Sequence, residues 1–152
     1  MKAKELWQKY LLSNMAIAKE GGCQECPESW AFGDAPDKLV QLVLDGMKTG
    51  TSSSYLLYEI TKDKVPAVND LSIILDSQGE AKCIIRTTKT YILPFNEVPL
   101  SHAIKEGEGD LSLEYWRMVH EKFLKDCLEE YGLKFSLDTL VLCEEFEVIY
   151  EI

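Results

Sequence analysis

The stretch Asp70-Leu71-Ser72-Ile73-Ile74-Leu75-Asp76-Ser77-Gln78-Gly79-Glu80-Ala81-Lys82-Cys83-Ile84-Ile85-Arg86-Thr87-Thr88-Lys89-Thr90-Tyr91-Ile92-Leu93 decides the fold. Two runs rich in β-branched and aliphatic residues, Asp70–Asp76 and Ala81–Leu93, flank Ser77-Gln78-Gly79, and a glycine there supplies a positive φ at low cost. The pattern predicts a hairpin. Ile84-Ile85 and Tyr91-Ile92-Leu93 anchor a second strand long enough to bend, and Pro94 and Pro99 close it. The chain is thus committed to a sheet, and the remaining elements are read by how they could cover it.

Upstream, residues 3–19 read as a helix with Leu6, Tyr10 and Ile17 at helical spacing, ended by Gly21-Gly22. After a polar loop, Ala35-Pro36-Asp37 looks like a helix start, with Leu39, Leu42, Val43 and Met47 as the apolar stripe and Gly46 or Gly50 as the stop. Ser54-Tyr55-Leu56-Leu57-Tyr58-Glu59 reads as a strand and Pro66–Asn69 as a turn. Downstream, a short helix is expected around Glu97–Ile104. A longer one spans about Ser112–Tyr131, with Leu113, Trp116, His120, Phe123, Cys127 and Tyr131 at three- and four-residue steps. Asp110 or Ser112 caps its start and Gly132 its end. Thr139–Ile152, rich in Val, Ile, Phe and Tyr, suits a last strand near the centre of the sheet. The sum is a single α+β domain of at least four strands and three helices.

The chain has 152 residues and a formal charge of −10, enough length for one core and too compact a composition for disorder. The charge is uneven. Residues 101–152 hold 5 basic and 13 acidic groups, whereas the first hundred residues are close to neutral. A long polyanion is therefore disfavoured near the last third, while a local cationic site remains open earlier. No stretch reaches the roughly 20 apolar residues that cross a bilayer, and the start lacks a signal-peptide run. A cytoplasmic protein with no membrane partner is expected. Five cysteines, an odd number, read as free thiols.

Several side chains invite a functional reading and have a plainer one. Cys23-Gln24-Glu25-Cys26 has zinc-ligand spacing, but no second Cys pair or paired His completes a tetrahedral set, so an ordinary loop is preferred and no metal is expected. His120, Trp116, Phe123 and Tyr131 share one helical stripe and read as core. Two clusters resist a structural explanation. Gly46-Met47-Lys48-Thr49-Gly50-Thr51-Ser52-Ser53-Ser54 gathers a lysine and hydroxyls after a helix, the wrong side for a phosphate-cradling Walker loop. Glu106-Gly107-Glu108-Gly109-Asp110-Leu111-Ser112 packs three carboxylates into five residues. Such crowding costs stability unless a cation, a helix start or a ligand compensates, and the spacing is not that of an EF-hand.

Together these clusters resemble the ASCH domain family, in the branch with a Gly-x-Lys-x-x-Thr loop and a Glu-Gly-Glu-Gly-Asp-x-Ser-Leu-x-Tyr-Trp-Arg segment. Here these are Gly46–Thr51 and Glu106–Arg117. Phe32-Gly33-Asp34, Leu39–Leu44, Ile74-Leu75-Asp76, Ile85-Arg86-Thr87-Thr88 and Cys143-Glu144-Glu145-Phe146 also look like the family, over about residues 30–150. One departure is Asn69-Asp70 where Gly-Asp is usual.

The resemblance implies a PUA-like mixed β-barrel flanked by helices. Residues 1–29 would be an N-terminal helix and loop packed on the domain, and residues 30–152 the domain itself. It also implies a pocket that binds a modified pyrimidine nucleoside or nucleotide, as an amidohydrolase deacetylating N4-acetylcytidine would, with Lys48, Thr51 and Glu106 as the catalytic residues. Thr51 would attack the amide carbonyl, Lys48 take its proton, and Glu106 protonate the departing amine. Ser53, Tyr55, Arg86, Glu108, Asp110, Ser112 and Arg117 are the expected substrate contacts. No cofactor and no DNA partner are expected, and the oligomeric state stays open, a dimer included. The other reading is an RNA-binding or single-stranded-RNA-cleaving module, in which Lys48, Arg86, Lys89 and Arg117 meet phosphates while Tyr55 or Trp116 stacks on a base. The −8 balance of the last third favours a small nucleoside over long RNA.

Overall fold

The computed structural model describes residues 1–14 and 25–152. Its described elements are α1 (Ala3–Ser13), β1 (Glu28–Trp30), α2 (Pro36–Leu44), β2 (Gly50–Ser54) and α3 (Tyr55–Thr61), then β3 (Leu71–Leu75) and β4 (Ala81–Pro94). A 3-10 turn (Phe95–Glu97), α4 (Leu100–Glu106), α5 (Leu113–Glu129) and β5 (Leu140–Glu151) complete the chain. The expected end of the first helix beyond Asn14, its Gly21-Gly22 stop and Cys23 lie outside the described residues. Cys26, Cys83, Cys127 and Cys143 are free thiols.

The five strands form one mixed sheet in the order β1-β3-β4-β5-β2. It is the expected PUA-like α+β fold, with the sheet curled into a half-barrel. The hairpin forms as its sequence dictates: β3 and β4 pair antiparallel, and Gly79 turns at φ +79. β4 runs 14 residues, and the ladder shifts register at Ile84/Ile85 and again between Thr87 and Lys89. Each bulge adds a residue on one side only, which bends the strand and lets β4 and β5 curl together. β5 sits between β4 and β2, as its apolar composition predicts. Asn69 takes φ +76, a left-handed conformation that asparagine tolerates, so its turn forms without glycine.

Adjacent strand residues point to opposite faces, and the core divides accordingly. Ile73 and Ile84 pack under α1 with Leu6, Trp7 and Tyr10. Ile74, Ile85 and Phe146 pack under α2 with Val40, Val43 and Phe32. A third cluster joins Trp116 and Leu124 of α5 to Phe95, Val141 and Cys143. Among the described residues no helix is long and apolar enough to cross a membrane.

One segment differs from expectation. Residues 55–59 were expected as strand and form the helix α3, while the strand precedes them as β2. The register explains it. Ser54 pairs with Val141, and β5 begins at Leu140. Past Ser54 only Leu140 of β5 is left to pair with, so the backbone satisfies its own hydrogen bonds as a helix.

Candidate functional site: a buried carboxylate held by three elements and a loop

Glu106, the last residue of α4, is 2% exposed. Its Oε1 accepts a hydrogen bond from Lys48 Nζ at 3.1 Å, and its Oε2 accepts from the Ser52 hydroxyl at 2.6 Å and from Trp116 Nε1 at 2.5 Å. His120 Nε2 and His102 Nε2 stand 3.2 and 3.3 Å from the same oxygen. Burial alone would raise the pKa of this carboxyl. The Lys48 and His120 charges, with the hydrogen bonds from the two histidines, instead bring it well below the usual carboxylate range.

Lys48 is as buried as its partner, at 1% exposure. Its Nζ donates to Glu106 Oε1, to Glu108 Oε2 at 3.2 Å and to the Glu106 carbonyl at 3.5 Å, while lying 5.2 Å from the centre of the Phe32 ring. An ammonium group has three N–H donors, and three oxygens face it. Gly107 makes the double carboxylate contact feasible. It turns at φ +70 against the Met47 carbonyl, where a side chain would collide, so that Glu106 and Glu108 both fold back on one lysine.

The proton positions of the histidines follow from their partners. His120 Nδ1 is 2.9 Å from the Trp116 carbonyl, which can only accept, and Nε2 faces an ionised carboxylate. Both nitrogens must donate, so His120 is an imidazolium. Burial opposes that charge, but Glu106, the Trp116 carbonyl and Glu108 outweigh it and raise the pKa. Ser52 donates to Glu106 and therefore accepts from His102 Nε2 at 2.7 Å, leaving His102 Nδ1 to accept from Tyr91 Oη at 2.9 Å. The Tyr91 hydroxyl is pushed up to about 12, chiefly by burial and then by Cys143, Glu145 and Glu106, so it keeps the proton it donates.

A small pocket opens onto this cluster, enclosing about 70 Å³, roughly two waters' share of the liquid. Lys48, Thr51, Glu106 and Glu108 line it together, with Ser52 and His120. Phe32, Leu39, Val119 and Phe123 supply apolar walls. Thr51 and Ser52 point to opposite faces of β2 and both reach the pocket because it lies along that edge strand.

The remaining predicted contacts are elsewhere or engaged otherwise. Ser53 bonds Tyr58 Oη at 2.8 Å. Tyr55 is half-buried at the start of α3. Arg86 is exposed and pairs with Glu147. Asp110 accepts from the Ser112 N–H at 2.9 Å. Ser112 caps α5 by accepting from the Tyr115 N–H at 3.0 Å. Arg117 donates to the Asn96 carbonyl at 3.2 Å. None of these six lines the pocket.

Sequence reasoning missed Ser52 and His102 and assigned Trp116 and His120 to the core. The available signal was polar atoms at four-residue spacing on two helices, His102 with Glu106 and Trp116 with His120. Glu106, Glu108 and His120 also bring ligand atoms within 4.8 Å of one another, the one such trio among the described residues. The Lys48 ammonium already lies on both carboxylates and His120 points its N–H groups at acceptors, so this donor set does not suit a metal ion.

A PUA-like half-barrel with a pocket over a buried Lys48–Glu106 ion pair beside its edge strand defines the class. The chain belongs to the ASCH domain family, whose model matches residues 28–150. ASCH domains are PUA-like and RNA-associated. The crystal structure of a DUF984-family protein from Enterococcus faecalis V583 is similar at TM-score 0.86 and 36% identity, over 97% of this chain and 87% of that one. That of an ASCH domain from Lactobacillus crispatus JV V101 is similar at TM-score 0.87 and 27% identity, over 98% and 94%. A search of curated proteins found no match.

Proposed function

We propose that this chain binds a modified pyrimidine nucleoside and hydrolyses its exocyclic amide, N4-acetylcytidine being the substrate to test first. The observation that carries this reading is the convergence of Lys48, Thr51 and Glu106 on one pocket, although two of them lie 58 residues apart. The enclosed volume suits an acetyl group, with the base and sugar in the mouth. Lys48 and His120 meet three carboxylates there, Glu106, Glu108 and Asp34, an acidic balance that suits an uncharged ligand better than a phosphate chain.

In this reading Thr51 Oγ1 attacks the acetyl carbon. Lys48, surrounded by acceptors, serves as the cation that receives charge developing on the carbonyl oxygen. Glu106, whose acid form is disfavoured by its donors, fixes Lys48 and His120 instead of delivering a proton. Trp116, stacked between Phe95 and His120 at 3% exposure, is unavailable for base stacking, and this weakens the RNA-reading alternative.

The test is acetate release from N4-acetylcytidine by wild type, Lys48→Ala, Thr51→Ala and Glu106→Gln. Activity in wild type with loss in all three supports the proposal. An inactive wild type, or three fully active variants, overturns it, and salt-dependent binding of short single-stranded RNA would then favour the binding module.

A further inference from the structure

A second buried carboxyl stands beside Thr51 and no role has yet fallen to it. Glu144 on β5 is the direct register partner of Thr51 on β2. Opposed residues of an antiparallel pair project from the same face, with Cβ atoms about 5 Å apart. Phe146, two residues further along β5, shares that face and packs in the cluster of Phe32, the ring beneath Lys48. Glu144 thus shares the Thr51 face of the sheet, behind the part of the pocket wall that Thr51 forms, and is not itself among the lining residues.

Its surroundings differ from those of Lys48, Glu106 and His120, the other buried charges among the described residues. Glu144 is 9% exposed, and among the described residues no cation pairs with it. The groups facing it are Thr51 from β2, Thr87 and the Glu144 register partner Thr90 from β4, Tyr58 from α3 and Asp70 from the turn before β3. Lys64 pairs with Asp70 at 3.3 Å. Burial first, then repulsion from Asp70, push the Glu144 carboxyl up to about 7, partly offset by the Thr87 hydrogen bond. A group that exchanges its proton near neutral pH is matched to general-base work, while Lys48 has its N–H groups turned to three oxygens.

We infer that Glu144 is the general base for Thr51. This rests on the reading of the pocket as an acyl-transfer site. Glu144 takes the Thr51 hydroxyl proton as Oγ1 bonds to the acetyl carbon. The same carboxylic acid returns that proton to the amine as the C–N bond breaks. Water then attacks the acetyl-Thr51 ester, giving its proton to Glu144, which restores the Thr51 hydroxyl as acetate leaves.

Two measurements test it. In the first, p-nitrophenyl acetate is used to acetylate Thr51, read by peptide mass spectrometry between pH 5 and 9, in wild type, Glu144→Gln, Glu144→Asp and Thr51→Ala. Acetylation in wild type is expected to rise through about pH 7, to fall about 100-fold or more in Glu144→Gln, to recover partly in Glu144→Asp, and to vanish in Thr51→Ala. In the second, carbon NMR of the Glu144 carboxyl in the unmodified protein is expected to show titration near the same pH.

Equal acetylation in wild type and Glu144→Gln, an absent rise with pH, no acetylation of Thr51 at all, or a Glu144 carboxyl titrating in the ordinary range would each overturn the assignment. Acetylation of Thr51 with the expected pH limb in a protein inert towards N4-acetylcytidine would uphold Glu144 as base and sink the substrate alone.

Discussion

Glu106 and Glu144 are the same residue type, both buried, on opposite sides of β2, and their environments drive them in opposite directions. Burial disfavours the charge of each. Around Glu106 the chain has placed a lysine, an imidazolium, an indole N–H and a serine hydroxyl, and the carboxylate is held ionised. Around Glu144 it has placed Thr87 and a second carboxylate, Asp70, and the group is poised near pH 7. Burial by itself does not decide what a carboxyl does; the count of donors within reach does. One of the two is built as a fixed anion, the other as a proton carrier.

The contrast can be broken most violently at Lys48. Replacing it with Met leaves Glu106 and Glu108 without their shared cation. We expect a loss of about 3–5 kcal/mol in urea unfolding, and the added Glu106→Gln change should restore part of it. Additive losses would mean that the two residues are not coupled.

The next effect concerns pH. Below pH 4.5 Glu144 carries its proton in folded and unfolded chains alike. As pH rises, the unfolded chain gives that proton up first, so stability falls from 4.5 until about 7 and then levels off. The group alone accounts for about 3 kcal/mol across that window. Glu144→Gln should gain stability relative to wild type by that amount between pH 4.5 and pH 8. A constant difference would mean the folded carboxyl is not raised. Glu106 has the reverse sign: its contribution is present above the ordinary carboxylate range and is lost as pH falls from there towards its depressed folded value.

A smaller change removes one donor. Trp116→Phe keeps the ring stack with Phe95 and His120 but takes the N–H from Glu106, at an expected cost of about 1.5–3 kcal/mol. The least effect is expected at Ser112→Ala, about 1 kcal/mol, since it loses only the cap of the helix that delivers Trp116 and His120. A cost at Ser112 as large as at Trp116 would show that helix placement, not the donor, governs the pocket.

Much of the fold was legible because it is written in local patterns. The hairpin glycine, the 3.6-residue stripe of α5 and the apolar last strand each carry their own signal. The misread segment, residues 55–59, failed for a non-local reason: Tyr-Leu-Leu-Tyr suits a strand, but beyond Val141 only Leu140 of β5 is left to pair with. The site divides in the same way. Lys48, Thr51, Glu106 and Glu108 stand in dense polar clusters that a core does not need. Ser52 sits among look-alike serines, His120 and Trp116 lie on an apolar stripe, and His102 occupies a short helix. Their shared purpose exists only where three elements, β2, α4 and α5, meet at one oxygen. Glu144 gave no signal beyond its motif, because its partner is set by strand register.

The close approach of Lys48 to Glu106 has a kinetic corollary. The two are 58 residues apart in the chain, and closing so long a loop is entropically costly before any contact rewards it. The β3–β4 hairpin, by contrast, turns within a few residues. The ion pair therefore belongs to the late side of the folding barrier. Weakening it should accelerate unfolding far more than it slows refolding, so the pocket acts as the latch that keeps the finished barrel shut.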